Sequence, residues 1–203
     1  MNILYLMTAR GGSKGVPGKN LRKINGISLV GLKSIAAKKA HTCSRLILST
    51  DSIEIQEEAR HYGVEVLFTR PAELANDTAT SADVVLHAMD WIENNTDDRY
   101  DAVMLLEPAS PFTRPFDYDN AVEMVIERKA NLVVGIREME VNSVFVGRLD
   151  ENSRIKQIIL QMQKIKLYRR QDQPSEYTMN GTLYLFKWEY FKEHKLIYHD
   201  VEN

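Results

Sequence analysis

Residues 4–20 read Leu4-Tyr5-Leu6-Met7-Thr8-Ala9-Arg10-Gly11-Gly12-Ser13-Lys14-Gly15-Val16-Pro17-Gly18-Lys19-Asn20. An apolar segment that is typical of a buried strand runs directly into a loop with four glycines and three cations. Glycine lets backbone N–H groups turn inward and approach a bound group closely. The cations Arg10, Lys14 and Lys19 add positive charge around the loop. This combination predicts a polyphosphate site, because phosphate oxygens match both the N–H groups and the cations.

The loop differs from the common P-loop, in which four residues separate two glycines and Lys-Ser/Thr follows the second glycine. Here five residues separate Gly12 from Gly18, and Asn20 stands where the magnesium-binding hydroxyl would be. An internal proline, Pro17, and an additional cation, Lys14, also set it apart. The loop therefore indicates another class of nucleotide site.

The rest of the chain alternates strand-like and helix-like segments. We predict strands at 3–8, 45–50, 64–68, 102–106 and 132–136, and helices at 28–41, 52–62, 81–94 and 117–128. Such alternation with short links predicts a three-layer α/β/α sandwich around a mostly parallel sheet. Ligands of these sheets bind at the carboxyl ends of the strands, so Arg10, Asp51, Arg70 and Glu107 are expected along one rim.

The pattern changes after residue 136. We predict short antiparallel strands at 144–148, 154–159 and 182–186, with a polar arm between residues 161 and 179. The whole chain, 1–203, is expected to be a single domain. The segment at about 140–180, which includes the polar arm, is expected to form a dimerisation arm.

Composition excludes several classes of protein. The 203 residues are 44% hydrophobic and carry a formal net charge of −2, so no overall basic character points to nucleic acid. The single cysteine, Cys43, excludes an internal disulfide and a cysteine-based zinc site. The five histidines show no metal-binding spacing. No signal peptide or membrane-spanning segment is recognisable, so we expect a cytoplasmic protein without a membrane partner.

The loop resembles the signature of the acylneuraminate cytidylyltransferases, Ala-Arg-Gly-Gly-Ser-Lys-Gly-x-Pro-x-Lys-Asn, at every specified position from Ala9 to Asn20. The resemblance implies a Rossmann-like nucleotidyltransferase sheet, CTP as substrate and Mg²⁺ (or another divalent cation) as cofactor. The cations Arg10, Lys14 and Lys19 would then be catalytic. The nucleotide would also be bound by Ala9, Gly11, Gly12, Ser13 and Asn20.

A second motif covers residues 70–81, Arg-Pro-Ala-Glu-Leu-Ala-Asn-Asp-Thr-Ala-Thr-Ser. Taken alone it predicts a helix start, with Thr78 or Thr80 as N-cap. It also matches the family pattern Arg-Pro-x-x-Leu-Ala-x-Asp-x-Ala-x-Ser. By that resemblance Arg70 and Ser81 would hold the cytidine.

Two further motifs would form the sugar side of the site. Residues 105–111, Leu-Leu-Glu-Pro-Ala-Ser-Pro, resemble the family's Leu-Leu-Gln/Glu-Pro-Thr-Ser-Pro, and imply sugar contacts from Glu107 and Ser110. Many members have glutamine at the position of Glu107, and a carboxylate there is unfavourable beside an anionic sugar. Arg169-Arg170-Gln171 and Asn180-Gly181 resemble the family's dimerisation arm, which implies a homodimer and sugar contacts from Arg170, Asn180 and Tyr184.

One family element is missing. Members carry Asp-Ile-Asp near the C-terminus, where the aspartates bind the catalytic magnesium. Asp200 and Glu202 do not reproduce that motif, so the metal ligands are unknown and we expect the sequence to stop short of the natural end.

These observations predict a transferase that activates a nine-carbon 2-keto-3-deoxy sugar acid of the sialic, legionaminic or pseudaminic type with CTP. The products would be the CMP-sugar and pyrophosphate. Two alternatives remain open. One is another sugar nucleotidyltransferase, acting on a Kdo-like eight-carbon acid or a sugar 1-phosphate; the other is a non-catalytic nucleotide-binding homologue.

Overall fold

The computed structural model describes residues 1–165, 169 and 174–197. Its strands are β1 (Ile3–Thr8), β2 (Lys23–Ile24), β3 (Ile27–Ser28), β4 (Arg45–Ser49), β5 (Ala102–Leu106), β6 (Leu132–Glu138) and β7 (Tyr177–Lys187). Its helices are α1 (Leu29–Lys38), α2 (Ile53–His61), α3 (Ser81–Asn95), α4 (Pro115–Arg128), α5 (Lys156–Ile165) and α6 (Trp188–His194). Short 3-10 turns cover Lys19–Leu21, Ala72–Leu74 and Ser143–Phe145.

The central sheet has the strand order β4-β1-β5-β7-β6. Strand β1 pairs in parallel with both β4 and β5, whereas β7 pairs antiparallel with β5. β2 and β3 form a separate antiparallel hairpin. The predicted mostly parallel sheet is therefore confirmed, and so is the antiparallel pairing of the segment 182–186.

Two apolar cores cover the two faces of the sheet, which gives the three layers. Successive strand residues point to opposite faces, so Tyr5 and Met7 join one core while Leu4 and Leu6 join the other. Helices α1, α2 and α4 contribute to the first core, and α3 and α6 to the second. The continuous apolar runs of β1 and β5 follow from burial on both faces.

Polar side chains start three of the helices at the rim of the sheet. Ser28 caps α1 by accepting from the Gly31 N–H, and Ser52 caps α2 in the same way. Thr80 caps α3 in a capping box with Asp83, which confirms one of the two predicted caps.

Three predicted strands are wrong or incomplete. Segment 144–148 contains part of a 3-10 turn that begins where the Asn142 side chain accepts from the Val144 N–H at 3.1 Å. Segment 154–159 runs into α5, because Ile158, Met162 and Ile165 recur with helical spacing. Segment 64–68 keeps only one parallel bridge, between Glu65 and Ile47.

The chain forms two compact units, Met1–Gly135 with Gly181–Asn203, and Ile136–Asn180. In the second unit Ser143 donates through its N–H and hydroxyl to the Glu176 carboxylate at 2.5 and 2.7 Å. The Asn180 amide donates to the Ile136 carbonyl at 3.0 Å. The single-domain organisation with an arm at about 140–180 stays a prediction. Within the described ranges no helix is long and apolar enough to cross a membrane.

Candidate active site

A cleft of about 530 Å³ opens at the carboxyl ends of β1 and β5. The predicted site residues along its wall are Ala9, Arg10, Ser13, Lys14, Lys19, Asn20, Arg70, Ser81 and Glu107. Residues separated by nearly a hundred positions therefore meet in one depression, at the edge where parallel sheets bind their ligands.

Backbone and side-chain hydrogen bonds hold the glycine-rich loop in place. The Ala9 N–H donates to the Ser49 carbonyl at 3.1 Å, and the Gly11 N–H donates to the Asp51 carboxylate at 2.9 Å. The Asn20 side chain is buried and donates to the Arg10 carbonyl at 3.0 Å. Gly11 and Gly12 belong to the loop but do not line the cleft. Because Asp51 already binds it, the Gly11 N–H is not one of the N–H groups turned toward a ligand.

Two loop cations converge on Asp77. The Arg10 guanidinium donates to the Asp77 carboxylate at 3.0 Å and to the Asn76 carbonyl at 2.9 Å, and Lys14 forms an ion pair with the other Asp77 oxygen. Hydrogen bonds from Lys14 and then Arg10 lower the pKa of Asp77. The cleft thus holds a carboxylate between two cations that could each bind a phosphate oxygen.

Arg70 is a buried cation at the cleft wall, with 5% of its surface exposed. Its Nε donates to the Ser49 hydroxyl at 3.0 Å and one terminal nitrogen donates to the Ser49 carbonyl at 2.6 Å. Burial lowers the pKa of Arg70 to about 10, with Asp51 opposing that change and Arg10 adding to it. Ser81 also lines the cleft, at the first position of α3.

Of the predicted sugar-binding residues that the structure describes, only Glu107 lines the cleft. Glu107 lines the cleft directly after β5, and burial raises its pKa against the opposing charges of Lys33 and Lys19. Ser110 and Tyr184 belong to the same unit but not to the cleft lining, and Asn180 belongs to the second unit. Arg170 lies outside the described residues.

A family model described as Cytidylyltransferase matches residues 4–202. The chain belongs to the cytidylyltransferase family. The family resemblance inferred from the glycine-rich loop is therefore confirmed, and this cytidylyltransferase is a nucleotidyltransferase enzyme whose family uses CTP.

Similar proteins cover nearly the whole chain. Post-translational flagellin modification protein B of Campylobacter coli is 31% identical over 97% of this chain and 82% of its own length. CMP-N,N'-diacetyllegionaminic acid synthase of Legionella pneumophila is 30% identical over 98% of this chain and 83% of its own length. Among solved structures, a CMP:2-keto-3-deoxy-manno-octonic acid synthetase complexed with CTP superposes with a TM-score of 0.69 over 99% of this chain and 80% of that one. At 16% identity this likeness supports the nucleotidyltransferase fold alone.

The described part of this cytidylyltransferase contains no group of three or more His, Cys, Asp or Glu side chains that could hold a metal ion. Within the described residues, the side-chain donors therefore do not fit a divalent cation held by protein groups alone. The chain end with Asp200 and Glu202 lies outside the described residues.

The sequence alone did not predict a role for two residues at this site, Asp77 and Lys33. Asp77 matched the family motif, but its pairing with Arg10 and Lys14 depends on a contact across more than sixty positions. Lys33 is a fully buried lysine beside Glu107 and was not singled out. A signal for it existed, because Lys33 follows Val30 by three positions and precedes Ala37 by four, so it lies on the apolar face of α1.

Proposed function

We propose that this cytidylyltransferase transfers the cytidylyl group of CTP to a nine-carbon 2-keto-3-deoxy sugar acid. The main support is the single cleft in which the loop cations, the buried Arg70 and Glu107 meet. A relative whose name specifies a CMP-legionaminic acid synthase, aligned over 98% of this chain, supports a substrate of the sialic, legionaminic or pseudaminic type.

In the proposed reaction the anomeric hydroxyl oxygen of the sugar attacks the α-phosphorus of CTP. A new bond forms between this oxygen and the α-phosphorus, and the bond between the α-phosphorus and the oxygen that bridges to the β-phosphorus breaks. Pyrophosphate leaves, and the hydroxyl proton passes to solvent. Catalysis of this step depends on positioning and charge neutralisation rather than on a covalent intermediate. We propose that Arg10, Lys14 and Lys19, which line the cleft, neutralise the triphosphate.

The remaining roles are proposed from the family resemblance. Arg70 and Ser81 would hold the cytidine, and Ser13 with Asn20 would shape the phosphate loop. Glu107, Ser110, Asn180, Tyr184 and Arg170 are proposed to contact the sugar acid. Mg²⁺ is expected to enter as part of the CTP complex, where it lowers the charge of the phosphates.

The decisive experiment is pyrophosphate release from CTP with a panel of sialic, legionaminic, pseudaminic and eight-carbon acids and a sugar 1-phosphate. We expect metal-dependent release with at least one nine-carbon acid. Release only with the eight-carbon acid, or with a sugar 1-phosphate, would replace the proposed substrate. Tight CTP binding without any release would indicate a non-catalytic homologue.

Base selectivity provides a separate test of the nucleotide assignment. CTP with magnesium should raise the melting temperature, whereas ATP and GTP should have little effect. Equal stabilisation by all three nucleotides would mean that only the phosphates are recognised, and would contradict the roles of Arg70 and Ser81.

We also propose that the protein acts as a homodimer. The unit Ile136–Asn180 exposes large apolar side chains that a second copy could cover: Val146, Leu149, Ile155, Ile159, Leu160 and Ile165. The family resemblance supports a two-fold dimer in which the arm of one copy, at about 140–180, reaches the site of the other. Light scattering should give the dimer mass at micromolar concentration, and a monomer would contradict this proposal.

Subunit mixing tests whether the site is shared. If Arg170 serves the partner's site, mixing Lys14→Ala protein with Arg170→Ala protein restores one complete site in each heterodimer. No recovery of activity after demonstrated subunit exchange would place Arg170 in its own subunit's site or in none.

A further inference from the structure

Lys33 is a fully buried lysine in the middle of α1. Lys33 and Arg70 are the lysine and arginine side chains that are buried in the part of the chain that the structure describes. Lysine is almost never fully buried unless its charge is paired or hydrogen-bonded. Its burial next to the proposed sugar side of the cleft therefore calls for a physical explanation.

The Lys33 ammonium joins three separate segments of the chain. It donates to the Ser110 carbonyl at 3.1 Å, to the Thr113 hydroxyl at 2.7 Å and to the Thr182 carbonyl at 2.5 Å. An ammonium has three N–H donors, so these acceptors match its full hydrogen-bonding capacity. One side chain thereby ties α1 to the loop after β5 and to β7.

Charged and aromatic groups surround the same nitrogen. Glu107 and Asp117 favour its charged form, and the Tyr118 ring lies with its centroid 5.7 Å from Nζ. Burial is the larger effect and lowers the pKa of Lys33 to about 7. Lys33 in turn opposes the rise in the pKa of Glu107 that burial causes.

Glu107 is close to the strand that Lys33 binds. A methyl group placed on Gly181 would come within 3.0 Å of the Glu107 carboxylate and 3.3 Å of the Ser110 hydroxyl. Gly181 directly precedes Thr182, whose carbonyl accepts from Lys33. Glu107, Ser110 and the start of the buried part of β7 are therefore packed into one group around the lysine.

We propose that Lys33 is a positioning residue for the sugar-acid side of the site, which holds the 107–113 loop against β7 and offsets the charge of Glu107. The inference rests on the proposed function. A carboxylate at position 107 would repel an acidic sugar, and a buried cation beside it compensates that charge without entering the cleft. Lys33 touches no reacting atom, so its effect acts through Glu107 and Ser110.

The test compares three variants with the wild type at pH 6.5. Lys33→Met removes the charge and keeps an apolar chain of similar length. Lys33→Met combined with Glu107→Gln removes both charges. Lys38→Met is the matched control, because Lys38 lies on the same helix, is exposed and donates to the Gly63 carbonyl.

We expect Lys33→Met to raise KM for the sugar acid by about 10-fold or more, the effect of losing a hydrogen-bonded charge, with KM for CTP changed by less than about twofold. The added Glu107→Gln should recover most of that loss, and Lys38→Met should leave both KM values as in the wild type. A purely structural lysine would lower the melting temperature without this selectivity or recovery.

Three results would overturn the inference: an unchanged sugar-acid KM, an equal rise in both KM values, or no recovery in a folded double variant. If Lys33→Met does not fold, Thr113→Val provides the test, because it removes one acceptor of the Lys33 ammonium. Thr113→Val should raise the sugar-acid KM by about threefold. An unchanged sugar-acid KM in Thr113→Val would refute the positioning role of Lys33. A wild-type protein that releases no pyrophosphate with any acid overturns the proposed function, and this inference with it. An active wild type with unaffected variants overturns the inference alone.

Discussion

Replacing Ser49 by alanine should weaken CTP binding through Arg70, although Ser49 itself does not line the cleft. Ser49 is fully buried in β4 and accepts both described hydrogen bonds of the Arg70 side chain, one at its hydroxyl and one at its carbonyl. The substitution removes the hydroxyl acceptor at 3.0 Å and leaves the backbone acceptor in place. The guanidinium then loses one of the two bonds that fix its plane.

The expected magnitudes follow from burial and hydrogen bonding. Burial lowers the pKa of Arg70 to about 10, so the buried charge depends on the hydrogen bonds that Ser49 accepts. A lost hydrogen bond to a charged group costs about 1.5–3 kcal/mol. For a chain of this size, about 2 kcal/mol lowers the melting temperature by roughly 4–8 °C.

Ligand binding should change as well. At a CTP concentration of about 100 times Kd, binding stabilises the folded protein by about 2.7 kcal/mol. If the released guanidinium costs about tenfold in affinity, the same concentration contributes only about 1.4 kcal/mol. The melting-temperature rise produced by CTP should therefore fall to about half.

The assay is thermal unfolding with and without CTP, for the wild type, Ser49→Ala and Ser34→Ala. Ser34 is the matched control because it is also fully buried and its hydroxyl donates to the Val30 carbonyl within α1, away from the cleft. Ser34→Ala should lower the melting temperature and keep the full CTP effect. If CTP raises the melting temperature of Ser49→Ala as much as that of the wild type, the reasoning is refuted. Arg70 would then either not need the Ser49 hydroxyl or have no part in nucleotide binding.

Three further predictions concern the charged groups of the site. Lys14→Ala should lower kcat with less effect on KM, by about 2–4 kcal/mol of transition-state stabilisation in steady-state kinetics; a near-normal kcat would make the loop merely structural. Asp77→Asn should strengthen CTP binding by about threefold in low-salt calorimetry, because Arg10 and Lys14 no longer have a competing carboxylate; weaker binding would instead show that Asp77 contacts the ligand. The folded-state pKa of Lys33, about 7, lies below its ordinary value of 10.5, so between these pH values the unfolded chain binds the extra proton and folding stability rises with pH. Relative to Lys33→Met, the wild type should gain roughly 3–4 kcal/mol in urea unfolding between pH 7 and 10, and a constant difference would contradict the lowered pKa.

Local patterns in the sequence were enough to predict the main elements and the phosphate loop. The apolar run of β1 ends in glycines and cations, and that local order is independent of the remaining chain. Helix α3 begins at Ser81 as predicted, because its cap, Thr80, and the partner of that cap, Asp83, are only three residues apart. Interactions within a few residues depend on backbone preferences that the sequence displays directly.

The segments that were predicted wrongly are short. The strand predicted at 154–159 ended before Met162 and Ile165, which continue the helical spacing of Ile158 in α5. The segment 64–68 looks like a strand by composition, yet only Glu65 finds a partner, at the edge of the sheet beside β4. Whether a short apolar segment pairs depends on which neighbour is within reach.

The arrangement of the candidate site depends both on local sequence motifs and on tertiary contacts between distant residues. The sequence by itself determined the family, the loop cations and the positions of Arg70 and Glu107, since each belongs to a contiguous motif. Only the tertiary structure decided that Lys33 would bind Thr182, 149 positions away, and that Asp77 would pair with Arg10 and Lys14. Those contacts arise when helices pack on a sheet whose strands come from distant parts of the chain. Charge compensation inside the protein is therefore a property of packing and cannot be read from the order of the residues.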